Sequence, residues 1–181
     1  MRQALKLHPH SPCSAATGVE VEIARLRAGS LTLRYLVRGK ISDLRLPPVA
    51  APARADELWR HTCFEAFMRG WADAGYYEFN FSPSTRWAAY RFSSYRKDMR
   101  VATEISAPRI EARSGPECCT LQASLELDGL PMLPHDGRWR LGLAALIEET
   151  NGRRSYWALA HPPGKPDFHH PDCFACELQQ A

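Results

Sequence analysis

Three neighbouring runs decide how this chain folds: Leu58-Trp59-Arg60-His61-Thr62-Cys63-Phe64-Glu65-Ala66-Phe67, Tyr76-Tyr77-Glu78-Phe79-Asn80-Phe81-Ser82-Pro83-Ser84, and Trp87-Ala88-Ala89-Tyr90-Arg91-Phe92. Side chains of like character recur at every second position, the period of a strand. Antiparallel pairing of the first two runs across the Gly70 to Gly75 connection sets Phe64 opposite Phe79, Ala66 opposite Tyr77 and Thr62 opposite Phe81. The other face then pairs Cys63 with Asn80, Glu65 with Glu78 and Phe67 with Tyr76. Continuing through the Ser82 to Arg86 turn places Arg91 beside Glu78. One face is an aromatic core, and the other a polar row with aromatic flanks.

Glutamates facing each other repel unless a cation or ligand lies between them, and Arg91 is the candidate cation. The row therefore suits either a ligand floor or a structural ion-pair cluster. A helical alternative for residues 58 to 72 puts Trp59, Cys63, Ala66 and Phe67 at i, i+4, i+7 and i+8. It ranks second, because flanking strands offer a sheet partner.

Outward from this centre, short alternating segments recur: Val19 to Leu26, Leu31 to Arg38, Arg109 to Arg113, Cys119 to Leu127, Arg140 to Glu148 and Ser155 to His161. In Cys119, Leu121, Ala123, Leu125 and Leu127 the odd positions are apolar, while Thr120, Gln122, Ser124 and Glu126 are polar, which describes a half-buried strand. Asn151-Gly152 predicts a two-residue type I′ hairpin. Its register pairs Ile147 with Tyr156 and Ala145 with Ala158, leaving Leu146, Trp157 and His161 on the other face. The stretch Leu46-Pro47-Pro48-Val49-Ala50-Ala51-Pro52 is a loop leading into the Trp59 strand. About nine strands with closely spaced turn signals predict an all-β, antiparallel β-sandwich or jelly-roll-like domain occupying residues 1–181 as one unit. No Gly-rich phosphate loop, nucleophile elbow or βαβ alternation is present.

Composition agrees with one globular domain: 181 residues, 45% hydrophobic and 24% charged, supply a sizeable core. A net charge of +3, spread without a basic tract, argues against nucleic acid as a partner. Met1 to His10 lacks the apolar run of a signal peptide, and no stretch has the length of a membrane span, so a cytoplasmic protein with no membrane partner is expected. Six cysteines at 13, 63, 118, 119, 173 and 176 form no regular framework and read as reduced thiols.

Taken with Ala158-Leu159-Ala160-His161-Pro162 and Gly164-Lys165-Pro166-Asp167-Phe168-His169, the three runs resemble the DOMON-like superfamily of β-sandwich modules, related to family 9 carbohydrate-binding modules. The resemblance is to a bacterial subgroup of small stand-alone members and spans roughly Glu20 to Phe174. It implies a sandwich that binds haem or sugar on a concave face or at its mouth.

The residues themselves supply two ligand chemistries and two alternatives. For a saccharide, Trp59, Trp87 and Trp157 are flat stacking surfaces, and Glu65, Glu78, Asn80 and Arg91 can bond hydroxyls. Trp87, just after a turn, is the candidate for exposure; all three tryptophans also suit core packing. The loop from His161 through Lys165 and Asp167 to His169 completes this site, with His61 on the face of Glu65. For haem as cofactor, axial ligands would come from His61, Met68, Met99, His161, His169 and His170. Cys173-Phe174-Ala175-Cys176, with His169 and His170 upstream, carries zinc or redox pairing as a minor reading. A glycosidase pair at Glu65 and Glu78 is disfavoured because Arg91 would keep both ionised. The expectation is thus a non-catalytic small-ligand module for a saccharide or similar polar molecule, with haem binding second and a structural or protein-interaction domain third.

Overall fold

The computed structural model describes residues 1–179 apart from 26, 28, 135 and 136. Twelve strands carry the chain: β1 (Arg2–Leu7), β2 (Ala16–Ala24), β3 (Ser30–Gly39), β4 (Cys63–Gly70), β5 (Tyr76–Phe81), β6 (Trp87–Phe92), β7 (Arg100–Val101), β8 (Arg109–Ser114), β9 (Cys118–Glu126), β10 (Trp139–Glu148), β11 (Arg154–Ala158) and β12 (Cys176–Leu178). The helical pieces among the described residues are single 3-10 turns of three residues, so no helix is long and apolar enough to cross a membrane. The predicted antiparallel β-sandwich is the observed fold, with more strands than the sequence suggested. The additions are β1, β7 and β12, and two or three residues are too few for β7 and β12 to display a period. Leu26, the end of the expected Val19 to Leu26 strand, lies outside the described residues.

All ladders between these strands are antiparallel, in the order β7-β6-β5-β4-β10-β11-β1-β2-β3-β9-β8, with β12 beside β11 along one edge of β10. β1 is the fold line. Arg2 to Leu5 pair with β2, while Lys6 and Leu7 pair with β11, so one continuous sheet closes over itself into two layers. The principal core fills the space between the layers. Val19, Leu33, Tyr35, Leu121 and Leu125 come from one layer and Phe64, Met68, Phe79, Leu143 and Trp157 from the other. The Tyr35 hydroxyl crosses this core and donates to the Glu65 carbonyl at 2.8 Å.

The two layers treat their outer faces differently. β9 alternates buried and half-exposed residues as its sequence predicts, since its outer face meets water. β5 is buried at every position, and β4 at every position but Arg69. Their outer face carries a second, smaller cluster containing Phe67, Tyr76, Tyr90, Phe92, Phe168 and Phe174. A strand apolar on one side and still buried on the other needs a cover, and here loops supply it.

Several sequence expectations about register are corrected. Phe64 pairs with Phe81, Glu65 with Asn80, Ala66 with Phe79 and Phe67 with Glu78, two residues along from the expected alignment. A slip of two preserves the faces, so Glu65 and Glu78 still share one but stand diagonally. In the next ladder Glu78 meets Tyr90 and Tyr77 meets Arg91, which puts Arg91 on the opposite face from Glu78. The β10–β11 connection has three residues rather than two: Glu149 and Arg153 close it, and Gly152 takes the left-handed conformation at φ +84°. That one-residue change pairs Leu146 with Tyr156 and Ala145 with Trp157, reversing the expected faces. Trp59 is not in a strand. It sits in the 3-10 turn Leu58–Arg60, and the helical alternative for residues 58 to 72 is excluded by β4.

Candidate functional site

The outer face of β4, β5, β6, β10 and β11 forms the floor of the site. Gly142, Ala144, Ala158 and Ala88 are small residues on this face. Between them lie Glu65 and Glu78, both with about one-twentieth of their surface exposed. The Asn80 amide donates to Glu78 Oε1 at 2.7 Å, and the Cys63 thiol leans on Asn80 Oδ1 at 3.7 Å. The Glu65 carboxyl faces the cleft and has no hydrogen-bond partner among the described residues.

Burial pushes the Glu65 carboxyl well above the usual carboxylate range; the charge of Glu78 adds to the shift and that of Arg96 opposes it. Burial also raises Glu78, to about 7, against the hydrogen bond from Asn80 and the charge of Arg96. At neutral pH the two together carry less than two full negative charges.

One wall is a strap running from Pro166 to Phe174. Asp167 anchors it: its Oδ1 accepts from Arg96 Nη2 at 2.7 Å and from the His169 backbone N–H at 3.1 Å, while the Tyr95 hydroxyl donates to Oδ2. These contacts hold the Asp167 carboxyl low despite partial burial. His169 then wedges among Phe67 and Phe92, with ring centroids 5.0 and 5.2 Å away. Its Nδ1 lies 2.8 Å from the Tyr76 hydroxyl, and its Nε2 lies 3.7 Å from Glu78 Oε2. Burial, helped by the charge of Arg96, drops the His169 pKa to about 4, so the ring is neutral. Since the Arg96 backbone N–H already donates to the Tyr76 oxygen at 3.2 Å, the hydroxyl proton goes to Nδ1. We therefore assign the imidazole proton to Nε2, on the side of Glu78.

The opposite wall begins with Trp59, half-buried, its ring 6.0 Å edge-on to Tyr90. The preceding Glu57 takes φ +60° to start the turn and pairs with Arg60 at 2.7 Å. Leu146, Arg154 and Tyr156 supply the third side from the β10–β11 hairpin, and Met99 stands at the mouth. Together these groups enclose a cleft of about 550 Å³.

Of the residues expected in a site, Trp59, Glu65, Glu78 and His169 line this cleft, with Asn80 beneath it and Asp167 bracing its wall. Others lie elsewhere. Trp87 is not exposed: paired with Phe81, it turns into the principal core with the Arg54 guanidinium 4.1 Å from its ring. Trp157 also faces that core, and its Nε1 donates to Ser155 Oγ at 3.0 Å. Arg91 pairs with Glu104 at 3.5 Å on the far side of the sheet. His61 meets Glu148 at 2.7 Å, His161 bonds the Lys6 carbonyl at 2.8 Å, and Lys165 is exposed on its loop.

Among the histidines and methionines considered as iron ligands, Met68 is buried in the principal core, and His170 caps the Pro171–Cys173 turn through the Asp172 N–H at 3.3 Å. His169 and Met99 border the cleft, but both ring nitrogens of His169 face protein groups. Cys173 donates to the Ala160 and Asp167 carbonyls, and burial pushes its thiol up to about 12. The C-x-x-C leads into β12 rather than opening a helix. No group of three or more His, Cys, Asp or Glu among the described residues is arranged to hold a metal ion.

Sequence reasoning missed Arg60, Phe92, Arg96, Leu146, Arg154, Tyr156, Pro166 and Phe168 as lining residues, and weighed Met99 only as an iron ligand. The correct hairpin register would have found Leu146 and Tyr156. Arg96 lies in a tight turn with a left-handed φ of +55°, where no periodicity guides a reading.

No family model and no curated protein sequence matches this chain. Solved structures do match in fold. A provisionally named carbohydrate-binding protein of Bacteroides uniformis superposes with a TM-score of 0.69 at 15% identity, covering 95% of this chain and 83% of that one. A family 9 carbohydrate-binding module from Caldicellulosiruptor kristjanssonii, solved in complex with cellotriose, gives a TM-score of 0.53 at 11% identity over 91% of this chain and 74% of its own. Its complex with glucose gives 0.53 at 11% over 98% and 84%.

Proposed function

We propose that this protein binds a saccharide, or a polar molecule of similar size, in the outer-face cleft without transforming it. The observation that carries the reading is Glu65: a buried carboxyl with no protein partner, facing a cleft that an indole and a phenol border. Its oxygens open to the cleft instead of being sealed in protein, so a ligand hydroxyl or amine can reach them. Trp59 and Tyr156 offer ring surface to a pyranose, and about 550 Å³ accommodates a small ligand. The shared fold with carbohydrate-binding modules points the same way.

The non-catalytic part rests on the floor rather than on Arg91, which the structure moves away. Glu65 and Glu78 rise from adjacent strands on one face, whereas glycosidase carboxyls flank the scissile bond from two sides. Nothing in the cleft favours haem: His169 is bonded through Nδ1 to Tyr76 at 2.8 Å and its Nε2 is turned toward Glu78. A closed face would favour the purely structural reading, and the cleft takes away that support.

Calorimetric titration of glucose and cellotriose into the wild type and Trp59→Ala tests the proposal. Saturable heat in the wild type, weakened about tenfold in the variant, supports it. No heat with either sugar, or equal affinity in both proteins, contradicts it.

A further inference from the structure

Resting on the saccharide reading, we infer that the floor of the cleft is built for a cation, and that the ligand is an amine-bearing sugar whose ammonium group sits between Glu65 and Glu78. The two carboxyls are diagonal neighbours on one ladder face, and among the described residues no arginine or lysine pairs with either. Of the guanidiniums that border the cleft, Arg96 is engaged by Asp167 at 2.7 Å and Arg60 by Glu57 at 2.7 Å, while Arg154 is exposed on the hairpin wall and pairs with neither carboxyl. His169, the closest nitrogen base, is neutral and reaches Glu78 Oε2 only at 3.7 Å. Glu65, about nineteen-twentieths buried and without a hydrogen-bond partner among the described residues, faces the cleft directly.

An ammonium group suits this pair of carboxyls better than a hydroxyl does. It brings three donors, against both free oxygens of Glu65 and the Glu78 Oε2 that Asn80 leaves open. It also supplies positive charge to replace the proton that the pair holds when empty, where a hydroxyl supplies one donor and no charge. The rings of Phe92 and Trp59 border the same cleft.

A proton signature follows. Glu65 and Glu78 are faced by Tyr35, Cys63, Tyr76, Tyr90, His169 and Arg96, with Arg60 and Arg154 on the cleft walls; of the groups packed against the pair Arg96 carries charge at neutral pH. The pair therefore holds proton density in the free protein, and an arriving ammonium displaces it into solvent.

The test is calorimetric titration at pH 7 with glucosamine, glucose and N-acetylglucosamine, each in phosphate and in MOPS buffer. We expect glucosamine to bind at least about tenfold more tightly than glucose, the worth of one buried charge-assisted hydrogen bond. Its apparent enthalpy should differ between buffers, showing proton release, and N-acetylation should remove the advantage. Glu65→Gln should bring the glucosamine-to-glucose ratio close to one; should that variant melt early, Glu78→Gln serves the same purpose. Equal affinity for glucose and glucosamine overturns the inference and leaves the saccharide reading standing. A glucosamine advantage that survives in both variants also overturns it. Failure of all three sugars to bind overturns both.

Discussion

His169 and Tyr76 are bonded side chain to side chain at 2.8 Å, joining the strap to the floor of the cleft across 93 residues of sequence. The bond orients the imidazole, and through it places an N–H toward Glu78. It also couples two segments, since the same hydroxyl oxygen accepts from the Arg96 backbone. The wall of the site is thus held by a short polar chain rather than by packing alone.

Tyr76→Phe removes both contacts and leaves His169 Nδ1 buried without a donor. The expected cost is about 1–2 kcal/mol of stability, read as a drop of several degrees in Tm. Sugar affinity should weaken with it, because the strap loses its link. A variant as stable as the wild type in denaturant unfolding would show that the strap is held elsewhere.

The carboxyl pair makes a prediction of definite sign. Glu78 has its folded pKa raised from the ordinary 4.5 to about 7, so its protonated form favours the native state fully below pH 4.5, and that contribution is lost as pH rises toward 7. Glu78→Gln escapes this loss while keeping an acceptor for Asn80. Unfolding free energies should favour the variant by on the order of 1–3 kcal/mol at pH 8 and converge with the wild type near pH 4. The neutral His169 works in the opposite direction in both proteins and cancels in the difference.

Glu149 predicts the reverse profile. Its Oε1 accepts from the backbone N–H groups of Ser14 and Ala15 at 2.7 and 2.9 Å, with Asn151 at Oε2, and these hold its pKa near 2. A depressed folded pKa gives stability that is present above about 4.5 and lost as pH falls through 2. Glu149→Gln should cost about 1–3 kcal/mol at pH 7. The difference should shrink in acid, which a series of urea melts between pH 2 and pH 7 would show.

Gly142 tests the seating of the strap. A Cβ there would lie 3.1 Å from the Cys173 carbonyl oxygen and 3.4 Å from the Phe67 Cβ. Gly142→Ala should be tolerated after a small shift. Gly142→Val should push Cys173 outward, lowering sugar affinity more than the alanine variant does. Equal affinity in the two would mean that the strap does not shape the cleft.

These relationships were legible in the sequence to different depths. Alternation in Phe64 to Phe81 located the strands and separated the core face from the carboxyl face, and it survived the register error because two residues is a full period. The same rule made the hairpin error costly. One extra loop residue exchanged Trp157 for Tyr156, moving an expected stacking surface into the core and leaving the ring that lines the cleft unnoticed. Trp87 and Arg91 failed for a related reason, since the length of the Ser82 to Arg86 turn sets their parity and composition does not reveal it. His169 and Asp167 could be guessed from their loop, but Arg96 could not. Its role depends on a tight turn meeting a strap some seventy residues away.

The most direct test of the central claim is backbone and indole amide NMR of the uniformly labelled protein during titration with glucose and glucosamine. The account predicts saturable shifts confined to the Trp59 indole, the Glu65 and Glu78 amides, the turn at Arg96 and the strap at Phe168 and His169. Shifts centred on another surface, or none with either sugar, would contradict it.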